Sequence, residues 1–68
     1  MNPDADYWTR LMALEASEKY QQAEKDRRYW WEMFQQAEAN GDGSNAAEYW
    51  RHAYKYAKAL ADMREAVR

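Results

Sequence analysis

The sequence predicts an all-α fold, an antiparallel helical hairpin, on three observations. Ile is absent and Thr9 and Val67 are the only β-branched residues, while Ala, Glu, Gln, Lys, Arg and Met abound, a vocabulary that favours helix over strand. Only one place is strongly punctuated, Asn40-Gly41-Asp42-Gly43-Ser44-Asn45, which holds both glycines and so reads as a turn. On either side of it, apolar residues recur at alternating spacings of four and three, the repeat of one helix packed along another.

The first helix is expected over residues 3–39. Asn2 serves as N-cap, Pro3 sits at the first helical position with its φ already set, and Asp4 and Asp6 face the positive end of the helix dipole. Asn40 ends it, with Gly41 free to take the left-handed conformation that follows many helices. The turn occupies residues 40–45. The second helix runs over residues 46–67, entered from Ser44 or Asn45, with Glu48 three residues after Asn45 in a capping-box-like arrangement.

The two series can be paired. If the chain reverses at Gly41 to Gly43, the layers are Ala37 with Ala46, Phe34 with Trp50, Trp30 with Ala53, Arg27 with Ala57, Ala23 with Leu60, Tyr20 with Arg64 and Ala16 with Val67. Trp30 over Ala53 and Leu60 over Ala23 set a bulky side chain against a small one, which lets two helices approach without a void. Tyr49, Tyr56 and Met63 widen the stripe on one flank. Residues 1–45 hold five basic and nine acidic side chains and residues 46–68 five and three, so the two arms attract.

A first helix of that length outruns its return arm by about four turns. The overhang contains Tyr7, Trp8, Leu11, Met12 and Leu14, on a face nearly opposite the seam, and Tyr29 and Trp31 return to that face. At roughly 1.5 to 3 kcal/mol per large side chain, five uncovered ones would forgo about 7 to 15 kcal/mol, as much as a small domain's whole stability. A covering is therefore expected. The favoured one is a second copy of the chain, giving a dimeric helical bundle. The alternatives are a three-helix bundle with a break near Ser17, and a foreign protein that receives the overhang with Trp8 and Leu11 as anchors.

Length and composition bound the function. With 68 residues and a net charge of -2, residues 1–68 form a single domain, and small domains without staples commonly rely on partners. Cys is absent and there is one His, which excludes a disulfide scaffold and thiolate chemistry. Glu48 and His52, one turn apart, have Glu32 or Glu38 near them on the other arm, yet that spacing is common by chance and no metal or other cofactor is expected. Ser17, Ser44 and Thr9 read as caps or surface residues, and Gly41-Asp42-Gly43 lacks a phosphate-loop pattern, so an enzyme is not expected. The acidic start Met-Asn-Pro-Asp-Ala-Asp lacks an apolar run and no stretch approaches a membrane span, which predicts a cytoplasmic protein with no membrane role.

The expected function is a non-enzymatic protein-protein interaction module, self-associating, in the class of small regulators, inhibitors or assembly factors, docking through Tyr7, Trp8, Leu11, Met12, Leu14, Tyr29 and Trp31. The alternative is a dimeric nucleic-acid binder using Arg51, Tyr54, Lys55 and Lys58 on the second helix, although Glu48, Asp62 and Glu65 interrupt that face. A purely structural or designed oligomer is the third reading. The pair Trp8 and Leu11 fits the opening of a tetratricopeptide repeat, but Met12 stands where that repeat has a small residue. The turn also lacks the Trp-x-Gly of the helical-hairpin secretion substrates, so neither family is matched.

Overall fold

A computed structural model describes residues 3–68 of the chain and places three helices in order: α1 (Pro3–Ala16), α2 (Glu18–Ala39) and α3 (Gly43–Ala66). The described residues contain no strand. Asn2, expected as the first N-cap, lies outside them. Helices α2 and α3 form the expected antiparallel hairpin and carry most of the tertiary contact. The molecule measures 54 × 17 × 15 Å with a radius of gyration of 15.5 Å, against about 11 Å for a compact domain of this length, so it is a rod.

The long first helix is broken at Ser17, which corrects the expectation of one continuous helix over residues 3–39. Ser17 adopts an extended backbone (φ -70, ψ 145) and its hydroxyl accepts from the Tyr20 N–H at 3.2 Å. The same hydroxyl donates to the Leu14 carbonyl at 2.7 Å, so one side chain serves the end of α1 and the start of α2. No Gly or Pro is needed, because an N-cap hydroxyl supplies the bond that the interrupted ladder lacks. The break and the three helices are those of the alternative expected with a break near Ser17, but α1 contributes little of the tertiary contact. End to end, α1 and α2 span roughly 54 Å at 1.5 Å per residue, the molecule's own length, so α1 continues outward instead of folding back alongside the hairpin.

The turn is shorter than expected and more economical. Gly41 takes φ +72, as its position after the helix predicts. Its N–H donates to the Glu38 carbonyl at 3.1 Å and the Asp42 N–H to the Ala37 carbonyl at 2.9 Å, the paired bonds of a Schellman motif. Asp42 then caps the next helix: its carboxylate accepts from the Asn45 N–H at 3.3 Å and from the Asn45 side-chain amide at 2.7 Å. Helix α3 therefore begins at Gly43, three residues ahead of the expected start, and Ser44 and Asn45 lie within it. One residue closes α2 and opens α3.

The seam keeps three of the expected layers. Ala37 and Ala46, and Ala23 and Leu60, are buried, and Ala53 is buried opposite half-buried Trp30. The others are kept by one partner or neither: Trp50 is exposed opposite half-buried Phe34, Arg64 opposite buried Tyr20 and Ala16 opposite half-buried Val67, and Arg27 and Ala57 are both exposed, while Met33, Tyr49, Tyr56 and Met63 are half-buried beside them. The cause is the size and polarity of the competing side chains. Turning Tyr49, Tyr56 and Met63 inward covers more apolar surface than Ala57 would, and it leaves the Arg27 and Arg64 guanidinium groups at the rim, in water.

Tyr20, 1 % exposed, is the most buried side chain; with Ala23 and Leu60 it forms the core cluster, and Leu14 and Met63 pack against it. No helix of the described residues is long and apolar enough to cross a membrane.

Candidate functional site

The overhang splits into two stripes. Tyr7, Leu11 and Leu14, spaced four and three, are half-buried. Leu14 reaches the core cluster, and Tyr7 lines a cleft at the open end of the hairpin together with Tyr20, Leu60 and Arg64. Trp8 and Met12, four residues apart and one position round the helix, remain 58 % and 68 % exposed. Part of the expected exposure is thus relieved within the chain, because the break at Ser17 lets the end of α1 lean on α3. Trp8 and Met12 are not relieved.

Tyr29 and Trp31 do not share a surface. Two residues of a helix are about 200° apart, and here they fall on opposite edges of the hairpin. Tyr29 meets the Trp30 ring edge-on at 5.0 Å, and Trp30 in turn stacks on His52 at 4.3 Å and tilts against Tyr49 at 5.8 Å. Trp30 is half-buried by these contacts, while Tyr29 itself remains 54 % exposed. His52 Nε2 also lies 3.6 Å from a Glu48 carboxylate oxygen, but the described residues hold no group of three His, Cys, Asp or Glu able to grip a metal ion.

The other edge is open and aromatic. On α2, Trp31 stacks on Phe34 at 5.1 Å; on α3, Trp50 stacks on Tyr54 at 5.3 Å with rings 13° from parallel. Between these two walls runs a shallow groove of about 250 Å³ lined by Arg27, Trp31, Trp50, Ala53, Tyr54 and Ala57. Trp31, Trp50 and Tyr54 are 42 %, 47 % and 56 % exposed. The groove exists because the seam has rotated toward Tyr49 and Tyr56, which turns Trp50 and Ala57 out.

The chain matches no family model, no curated protein and no solved structure. Stacked aromatic walls with an alanine floor suit an apolar or aromatic side chain presented on a helix, and Arg27, the one charge among the lining residues, favours an acidic approach.

Of the four residues assigned to the nucleic-acid alternative, Arg51 lies 3.7 Å from the Glu48 carboxylate and the Lys55 ammonium lies 5.9 Å from the Tyr56 ring centroid. Lys58 is exposed. Tyr54 belongs to the groove.

The sequence periodicity placed Trp50 and Ala57 inside the seam and so missed them as surface, while Phe34 is half-buried as expected. A signal was present. Ala47, Trp50, Tyr54, Ala57 and Ala61 form a second stripe on α3 with spacings of three, four, three and four, and all five are exposed. A helix with two adjacent stripes of that period has a seam on each side, and only one is filled by α2.

Proposed function

We propose that the protein is a non-enzymatic, self-associating interaction module that works by helix-face docking, in the manner of a small regulator, inhibitor or assembly factor. The observation that carries this is the second, uncovered stripe of α3, with Trp50 and Tyr54 stacked at its centre and Trp31 facing them from α2. Three large aromatic side chains half in water on one side of a rod 17 Å wide are a concentrated apolar patch, the kind of surface that marks an interface. Trp8 and Met12 on α1 add a second apolar surface on an arm that projects past the hairpin.

Light scattering on the full chain tests the proposal. A species of twice the 8.2 kDa chain mass is expected at micromolar concentration, persisting as salt rises because apolar contact is not screened. A monomer throughout that range would overturn it.

A second reading, a dimeric binder of single-stranded nucleic acid, has one observation in its favour: the Trp50 and Tyr54 rings offer a stacking platform on the helix that carries Arg51 and Lys58. Binding that collapses steeply with salt would support that reading.

A further inference from the structure

Resting on the self-association proposed above, we infer that the groove between Trp31 and Trp50 is filled by helix α1 of a second copy, the two copies exchanging arms reciprocally. Three independent features point to that occupant. The first is chemistry: α1 presents Trp8 and Met12, exposed and one helical turn apart, and the groove is an aromatic-walled slot with room for about one large side chain at a time.

The second is charge. Helix α1 carries Asp4, Asp6 and Glu15 against Arg10. The path it would follow on its partner enters by the open-end cleft, where Arg27, Arg64 and Arg68 stand against Glu24 and Glu65, and ends in the groove, where Arg27 is the lining charge. Arg68 is already paired with Glu65 at 3.6 Å, so an arm with three carboxylates and one Arg meets a track of net positive charge centred on Arg27 and Arg64, which favours this partner over a neutral one.

The third is length. Trp8 lies nine residues before Ser17, roughly 14 Å along α1, and Arg27, at the near end of the groove, lies ten residues beyond Ser17 along α2, roughly 15 Å, while the 14 residues of the whole arm span roughly 21 Å, as far as Trp31. Two hairpins abutting at their open ends would therefore lay each arm along the other from its mouth to the Trp31 groove, under a single two-fold axis.

The area is also of the right size. Aromatic side chains present about 150–250 Å² each, so Trp8, Met12, Trp31, Trp50 and Tyr54, between 42 % and 68 % exposed, offer roughly 500 Å² per chain. Two reciprocal sites give about 1,000 Å² before the alanines and side-chain stems are counted, which approaches a specific interface.

The absence of cysteine makes the test clean. Ala5→Cys, one turn from Trp8 on the same face, and Ala57→Cys are introduced into separate full-length chains, and both positions are exposed in the single chain. The two are mixed and oxidised mildly, and the products are separated without reductant. The expected result is a mixed disulfide between the two chains in large excess over either homodimer, reduced severalfold when Trp8→Ala is added to the Ala5→Cys chain. A dimer by light scattering that instead cross-links Ala57→Cys to itself would overturn arm exchange and leave self-association standing. A monomer would remove both.

Discussion

Arg64 donates from its Nε to the Tyr20 hydroxyl at 2.8 Å, joining residues 44 apart in the chain. The guanidinium carbon also lies 5.8 Å from the centre of the Tyr20 ring. Tyr20 is the most buried side chain among the described residues while Arg64 is at the rim, so the bond leads the hydroxyl of the core tyrosine out to the surface. It is the tie at the open end of the hairpin, where no turn holds the helices together.

Tyr20→Phe keeps the ring and removes that bond. Because the Arg64 guanidinium stays in water and finds other partners, the loss is expected to be about 0.5–1.5 kcal/mol, whereas Tyr20→Ala is expected to cost about 3–5 kcal/mol by opening the core. Urea unfolding of the two variants measures both. The bond to Tyr20 raises the pKa of Arg64 above its ordinary value. A raised cation contributes stability that is lost only as pH climbs through its folded pKa, so the Tyr20→Phe deficit should be the same at pH 5 and pH 9.

Ser17→Ala removes the hydroxyl that joins α1 to α2. The expected cost is about 1 kcal/mol, the usual worth of an N-cap. Helical content should not fall, because alanine is a better helix former than serine. Circular dichroism and denaturant midpoints on the same samples check the two halves of this statement. An unchanged midpoint would mean that the hydroxyl is not holding the joint.

The two glycines of the turn are expected to respond with opposite sign. A Cβ added at either meets nothing within 4 Å, but Gly41 alone has a positive φ. Gly41→Ala should therefore cost about 1–2 kcal/mol through backbone strain. Gly43→Ala, at the first position of α3, should be neutral or stabilise by about 0.4–1 kcal/mol by narrowing the unfolded ensemble. Thermal unfolding of the pair reads the difference.

These residues also show how far the fold was legible. The position of Gly41 after an apolar-periodic segment announced the turn, and the layers Ala37 with Ala46 and Ala23 with Leu60 followed from spacing alone. The break near Ser17 was legible only as an alternative, because the residue three on is Tyr20, not the Glu or Gln of a capping box, and a lone serine in helical periodicity is as readily a surface residue. Asp42 was hidden for a different reason: it serves two helices at once, and the eye assigns a cap to the nearest Ser or Asn.

The site was less legible than the fold. Spacing cannot rank two stripes that share Trp50 and Ala57; the choice was made by the bulk of Tyr49, Tyr56 and Met63 competing for the same side of α2. Trp8 and Met12 are exposed in the single chain as expected, while Tyr7, Leu11 and Leu14 are half-buried, Leu14 because the joint at Ser17 brings it to the core cluster.

Trp30 and Trp50 offer the sharpest separation between fold and assembly. Trp30 is half-buried, stacked on His52 and edged by Tyr29, so Trp30→Ala should destabilise the single chain by several kcal/mol, toward the lower part of the 3–5 kcal/mol range for a fully buried Trp. Trp50 is half in water and meets only Tyr54 ring to ring, so Trp50→Ala should cost about 1 kcal/mol in chain stability. Its effect on self-association should be far larger, since an aromatic at the centre of an interface commonly accounts for 2 kcal/mol or more of binding, about thirtyfold in dissociation constant. Sedimentation equilibrium beside urea unfolding separates the two quantities. A Trp50→Ala chain that stays as dimeric as the parent would place the interface elsewhere on the rod.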